Sequence, residues 1–480
     1  MAYYHGIKTS EIETAIVTPA ESTAGLPVVF GTAPVHLTAD PNGCVNKPII
    51  CYSYAEAVEQ LGYSEDWQNF TLCEVIYSQF MLYAMAPIVF INVLDPKKHK
   101  KSSTATVTLT NGSGTVAANI LLPTLNVKDG NTSSIVGEVN VDYTAAYNTD
   151  GQLVITVTET GKLKASRTLA LSYDEVDPTA VKPIDVIGGV DAEFNETGFE
   201  LINHIYNKFG LVPGLIAAPG WTEEPMVASV LKAKSRAIDS LYRATIVTDI
   251  DTKECKKYTD CYEWKNGNSY TGAAQVVCWP CVRNGDHIFH QSTHYIGVMG
   301  QVDAKNSDVP YESPSNKDMQ ATGLCLIDGT EVNLTLDKAN LLNSQGICTG
   351  LNRNGWKTWG DYTGAYPGNT DVKDTFICVR RMFDWDDQIF TNTYFNKVDN
   401  PMMPVLVHQV MDSEKIRLNG LVSRGFLLGA DIEFTEKENP VTDLLKGIIR
   451  FRKKRTPPVP AQVIESVSEY DVNNYTALFN

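Results

Sequence analysis

The sequence lacks the short motifs that announce common chemistries. It has no Gly-x-Ser-x-Gly elbow, no His-Glu-x-x-His pair and no dinucleotide-binding glycine fingerprint, so its spacing gives no support to an enzyme. It has no apolar run long enough to cross a bilayer. PIVFINVL at 87–94 is the kind of run present, well short of the roughly 20 residues a spanning helix needs. The opening MAYYHGIKTS has neither a basic nor an apolar export segment. Positive charge is in the minority, with 40 Lys and Arg against 56 Asp and Glu and a net charge of −16. Nucleic acid is thereby disfavoured as the main partner, because phosphate binding needs a concentrated basic surface. The same self-repulsion keeps a chain dispersed until it associates. Ten cysteines are scattered without a compact framework. In the absence of an export segment they are expected to be reduced thiols of a cytosolic product. Apolar content of 43% and charged content of 20% are those of a globular protein. A length of 480 residues suggests about three domains.

The motifs that are present stop short of function. Cys278-Trp279-Pro280-Cys281 has the outline of a redox pair, but such a pair wants a helix starting at the first cysteine to stabilise its thiolate. Here VVCWPCV reads as an apolar strand and the following RNGDH as a turn, so the structural reading is preferred. Cys278, Cys281, His287, His290 and His294 include a zinc-like Cys-x2-Cys, yet the histidine spacing departs from known zinc patterns. Strand alternation in HIFHQ would put His287 and His290 on opposite faces. No metal is expected there, and no cofactor anywhere. Residues 350–358, GLNRNGWKT, are one residue away from a phosphate loop. The inserted Trp356 and the missing strand before them leave a plain loop. Asp249 and Asp251 follow a strand, where a metal pair could sit, without an evident third ligand.

Composition divides the chain into α/β and β parts. Residues 1–20 read as an N-terminal arm. Residues 21–95 and 186–365 read as one α/β domain interrupted by a small inserted β domain at 96–185. The α/β part has the apolar strands LPVVFGTAP, PIVFINVL, GLIAAPG and ATIVTDID. Its helices are expected at 54–61, at 72–85, in GFELINHIYNKFG with Gly210 as C-cap, and at 223–241. Strand–helix–strand order implies parallel pairing with crossovers. The insertion opens with KKHKK and continues with alternating strands such as TATVTLTNGSG and QLVITVTETG. Residues 366–456 form a last α+β domain. Within it, FICVRRMFDW reads as a strand and Asn400-Pro401 starts a helix carrying Met403, Leu406, Val407, Val410 and Met411 on one side, with Gly420 past its end. GADIEFTE is expected to point Ala430, Ile432 and Phe434 inward, and IIRFRKKR is the final strand.

Both ends carry strand patterns. Thr456-Pro457-Pro458-Val459-Pro460 is a stiff break. Beyond it, in the arm 457–480, Ile464, Ser466, Ser468, Tyr470 and Val472 share one face at period two, and Glu465, Glu469 and Asp471 the other. Val467 adds an apolar position opposite. At the N-terminus Ser10, Ile12, Thr14, Ile16 and Thr18 share an uncharged face across from Glu11 and Glu13. A strand with no partner in its own domain exposes unpaired backbone groups. The two arms either fold back on their own chain or are donated to neighbours as added strands. Arg450, Arg452 and Lys454 belong to a basic run. The run reads as a solvated strand end, or as an acceptor strand whose charges set register against the acidic arms.

The C-terminal quarter carries the segments YTGAYPGNTDVKDTFICVRRMFDW, VDNPMMPVLVHQVMDSEKIRLNGLVSRGFLLGADIEF, ENPVTDLLKGIIRFR, TPPVP and EYD, and the N-terminus HGIKTSEI and STAGLPVVFGTAPVHL. Over these segments, spanning about 1–95 and 195–480, the chain resembles the contractile tail sheath proteins of myophages and related contractile bacteriocins and injection systems. The resemblance implies a structural subunit, not an enzyme. It would polymerise as stacked hexameric rings in a helical sheath around an inner tail tube, between baseplate and tail terminator proteins, with no membrane insertion. It would be made in the bacterial host cytoplasm and reside in the tail of a virion or particle. Arms would cross between neighbours, and contraction would drive the tube through a cell envelope. The C-terminal domain would face the tube, with Lys415, Arg417 and Arg424 as possible contacts, and the insertion would point outward. CWPC departs from the family pattern. A non-contractile assembly component and a cytosolic α/β enzyme are the alternatives.

Overall fold

The computed structural model describes residues 20–21, 24–132, 134–148 and 150–479. The N-terminal arm positions Ser10, Ile12, Thr14 and Ile16 lie outside the described residues. Among the described residues no helix is long and apolar enough to cross a membrane. The chain divides into two compact units, residues 1–310 with 314–398, and residues 311–313 with 399–480.

The first unit is built on a six-stranded sheet. In spatial order its strands are Gln275–Cys278, Thr245–Asp249, Leu215–Ala217, Pro27–Gly31, Ile88–Asn92 and Pro48–Cys51. All neighbours are parallel except the last pair. Every residue of Pro27–Gly31, Ile88–Asn92 and Thr245–Asp249 is buried. That two-sided burial is why these strands read as continuous apolar runs and not as alternating ones. Between Ile88–Asn92 and Leu215–Ala217 lie two three-stranded sheets. The first joins Lys100–Thr108, Thr168–Val176 and Asn126–Asp129; the second joins Ser113–Val116, Leu153–Val157 and Tyr143–Tyr147. They enclose a separate apolar core that includes Val107, Ile120, Leu153, Ile155, Leu169 and Leu171.

Several helices differ from the sequence expectation. The helix expected at 223–241 is Pro225–Lys234. The one expected at 72–85 is an α-helix over Thr71–Tyr77 that widens into a π-turn over Ser78–Leu82. GFELINHIYNKFG is a 3-10 stretch over Phe199–His204 and a short α-helix over Ile205–Phe209, closed by Gly210 at φ 69°. FICVRRMFDW is not a strand. It opens the 18-residue helix Ile377–Tyr394. The run of Ile, Cys, Val and Phe suits a strand locally, but tertiary pairing decides otherwise. Arg381 and Asp303 form a buried two-bonded ion pair, one bond being 3.1 Å from Nη1 to Oδ1. One turn along the helix, Arg380 Nη2 reaches Asp384 Oδ1 at 2.8 Å, and Arg236 binds the same carboxylate at 2.6 and 2.9 Å. The i,i+4 spacing of Arg380 and Asp384 requires a helix.

Candidate functional site

The second unit, 311–313 with 399–480, holds the basic run and the C-terminal arm. Its frame is the helix Pro404–Ser423 packed on an antiparallel pair, Gly429–Glu433 with Arg452–Thr456. The helix begins at Pro404, later than the expected Asn400-Pro401 start. A residue before proline is pushed out of helical dihedrals, and Met403 is extended at φ −109°, ψ 153°. No turn can therefore propagate through Met403. The helix also runs through Gly420 instead of ending before it. Val410, Glu414, Leu418 and Leu421 lie at helical spacing and are buried, as are Ile432, Phe426 and Leu427. Glu414 is fully buried. It accepts bonds from Arg417 Nε at 2.9 Å and Nη2 at 2.6 Å, and Lys453 Nζ lies 3.8 Å away. One buried carboxylate thus ties the helix to the strand.

The basic strand alternates as a half-buried strand should. Arg452, Lys454 and Thr456 are exposed, whereas Lys453 and Arg455 turn toward the helix side. Three residues expected as register charges already have acidic partners in the same chain. Arg450 Nη1 meets Asp443 Oδ2 at 2.6 Å, Arg452 pairs with Glu438, and Lys454 Nζ meets Glu433 Oε1 at 2.5 Å. Arg450 lies outside the strand, its backbone N–H donating to Asn439 Oδ1 at 2.7 Å. Of the expected tube contacts, Arg417 is committed to buried Glu414, Arg424 covers the Phe426 ring at 4.9 Å, and half-exposed Lys415 lies 3.9 Å from Asp431.

A two-stranded sheet is marginal by itself, and each unpaired edge is a template for another strand. Among the described residues neither outer edge of this pair has a partner. The chain then leaves through buried Pro457 into residues 461–471, which form no regular structure and are all exposed. Val463, Ile464 and Val467 are 85%, 89% and 86% exposed, and Tyr470 and Val472 71% and 65%. Among the described residues the strand expected here has no pairing partner. Its end differs further: Val472 opens a 3-10 helix, Val472–Phe479, so the period-two pattern stops before Val472. An extended run of 11 residues spans about 36 Å.

The other motifs resolve into packing. Cys278 and Cys281 are buried free thiols, and burial pushes both well above the usual thiol range. His287 stacks on Trp67 with ring centres 4.6 Å apart. His290 precedes the helix Gln291–Lys305 instead of continuing the strand His287–Phe289. His294 lies inside that helix, its Nδ1 2.7 Å from Tyr83 Oη. Among the described residues no group of three His, Cys, Asp or Glu side chains is placed to hold a metal ion. GLNRNGWKT is a tight hairpin, Thr349–Asn352 with Trp356–Trp359, turned by Asn354 and Gly355 at positive φ. Asp249 Oδ1 accepts the Ser292 N–H at 2.9 Å. Sequence reasoning missed Glu74, Glu223 and Glu414; of these only Glu74 carries a signal, an acid set inside an apolar pattern, TLCEVIY.

No family model matches the chain. It is 27% identical to the tail sheath protein of Burkholderia phage BcepMu over 98% of both chains. It is 24% identical to the major tail sheath protein of Serratia phage KSP20, over 61% of this chain and 72% of that one. Its fold is that of the anti-feeding prophage helical sheath in the contracted state, with a TM-score of 0.55, 13% identity, and coverage of 98% and 100%. The sheath of the extracellular contractile injection system PVC, also contracted, gives a TM-score of 0.54 at 12% identity, covering 99% of each chain. In sequence and in fold, this chain is similar along nearly its whole length to the sheath proteins of contractile tails.

Proposed function

We propose that this protein is the subunit of a contractile sheath. Copies assemble into stacked hexameric rings around an inner tube, and the C-terminal arm of each adds a strand to the open-edged sheet of a neighbour. One observation carries the reading: an arm with large apolar side chains 65–89% exposed leaves a two-stranded sheet whose outer edges have no partner among the described residues. Exposed apolar residues of this kind are buried on association, and strand addition supplies the backbone hydrogen bonds. Pro457, Pro458 and Pro460 form a semi-stiff spacer that sets the reach. Work comes from re-packing a metastable lattice, which releases a few kcal/mol per subunit, while the shared strands keep copies tethered. The N-terminal arm, with Ser10, Ile12, Thr14 and Ile16, is assigned the same role, and the 96–185 region faces outward. Sheath and baseplate assemblies of the anti-feeding prophage share this fold, which supports a baseplate partner here as well. Removing residues 461–480 should leave soluble monomers. Long tubes in electron micrographs of that truncation would overturn the assignment.

A further inference from the structure

The carboxyl ends of the central parallel strands hold a buried charge cluster. In open α/β sheets this crevice, beside the point where strand order reverses, is where ligands usually bind. Here it is filled by a side chain of the protein, His290. Its Nδ1 lies 2.8 Å from Glu74 Oε2, and its backbone N–H donates to Glu74 Oε1 at 2.6 Å. On the other side its Nε2 lies 3.7 Å from Glu223 Oε1. Asp249, at the end of its strand, accepts from the Ser292 N–H at 2.9 Å. Glu74 and Asp249 therefore hold the first N–H groups of the Gln291–Lys305 helix, a placement its dipole favours. Gln79 Nε2 donates to Thr293 O at 2.7 Å, closing the same turn from a third element.

The charges do not balance. Three carboxylates face one imidazole, so full ionisation leaves three minus one, or two, negative charges uncompensated. Among the described residues, buried Glu223 Oε1 and Asp249 Oδ2 have no hydrogen-bond partner. Ionising a carboxylate oxygen in that setting is costly, and keeping it protonated far less so.

We propose that Glu74, Glu223, Asp249 and His290 form a protonation-dependent latch, which holds the first turn of the Gln291–Lys305 helix against the central sheet when protonated and loosens it as the cluster loses protons. Burial raises Glu223 from 4.5 to about 7, with His290 opposing and Asp251 and Asp249 adding to the rise, and Lys253 opposing more weakly. Asp249 is raised by burial, against His290 and the Ser292 bonds and with Glu74. His290 is lowered by burial, but Glu74, Glu223 and Asp249 together hold it up at about 10. Tyr270 and Cys281 also face the cluster, both pushed upward and neutral. All three shifts favour the proton-bound folded state. Glu223 contributes stability fully present below 4.5 and lost as pH rises to about 7. The His290 contribution is present below 6.5 and lost toward about 10.

The test is hydrogen exchange of the full chain at pH 5.5 and 8.5, corrected for intrinsic rates and read on the peptide covering 288–296. In the wild type the opening equilibrium of this turn rises with pH, by roughly 30-fold from Glu223 between these two values. Glu223→Gln, which cannot lose a proton, should remove the Glu223 share of that rise and leave the His290 share, with exchange at pH 5.5 near the wild-type value. Asp249→Asn should blunt it separately. Equal protection at both pH values in the wild type would overturn the proposal, as would an unchanged rise in Glu223→Gln. If neither variant folds, the wild-type comparison decides alone.

Discussion

Replacing Ile464 and Val467 by serine separates assembly from folding. Both side chains stand almost wholly in solvent, 89% and 86% exposed, so their loss should move the unfolding midpoint of the isolated chain by less than about 0.5 kcal/mol. On a neighbour's sheet the account is different. Fully burying an Ile or Val stabilises by about 1.5–3 kcal/mol. The pair is therefore worth about 3–6 kcal/mol per arm, of which ordering a free segment cancels about half. A loss of about 1.5–3 kcal/mol raises the concentration needed for assembly by roughly 10- to 150-fold. Sedimentation velocity across a concentration series reads the threshold, and urea unfolding of the monomer reads the control. A double variant that assembles at the wild-type threshold would refute the arm's role. A large fall in monomer stability would show instead that the arm packs on its own chain.

Arg381→Met strands Asp303 as a buried, unpaired carboxylate, which is already raised by burial, against Arg381. It should cost about 3–5 kcal/mol, and adding Asp303→Leu should restore most of it; a double variant no more stable than the single would contradict the pairing. Gly188 sits at φ 67°, and a Cβ there would lie 1.9 Å from Thr197 O, so Gly188→Ala should destabilise by about 2 kcal/mol or more, with a normal melting curve as the contrary result. Reversing Arg450, Arg452 and Lys454 to Glu breaks three exposed pairs worth about 0–1 kcal/mol each. Monomer stability should change little, while assembly weakens more at low salt than at high salt; a salt-independent yield would remove the register role. Burial lowers His36 to about 4 and His294 to about 3. Each folded pKa is depressed, so each costs stability as pH falls below 6.5, by up to about 1.4 kcal/mol per pH unit until its folded pKa is reached. His36→Phe should shallow the acid slope of the urea midpoint, and an identical slope would dismiss that histidine.

Sequence patterning determined the central sheet, because strands buried on both faces advertise themselves as unbroken apolar runs such as Ile88–Asn92. It determined the alternating strands of 96–185 for the complementary reason, one face wet and one dry. Gly210 as a helix stop and the break at Pro457 followed from local dihedral limits, which neighbours cannot override. Tertiary structure decided what local preference left open. FICVRRMFDW has strand-forming residues, yet Asp303, Asp384 and Arg236 can be satisfied only from a helix. Arg417 looks like a surface charge until the fold buries Glu414 beside it. The Glu74–His290 pair joins residues separated by 216 positions, and no spacing rule reaches that far. Short-range sterics and hydrophobic period are written along the chain. The pairing of buried charges depends on distance in space, and only the folded molecule sets it.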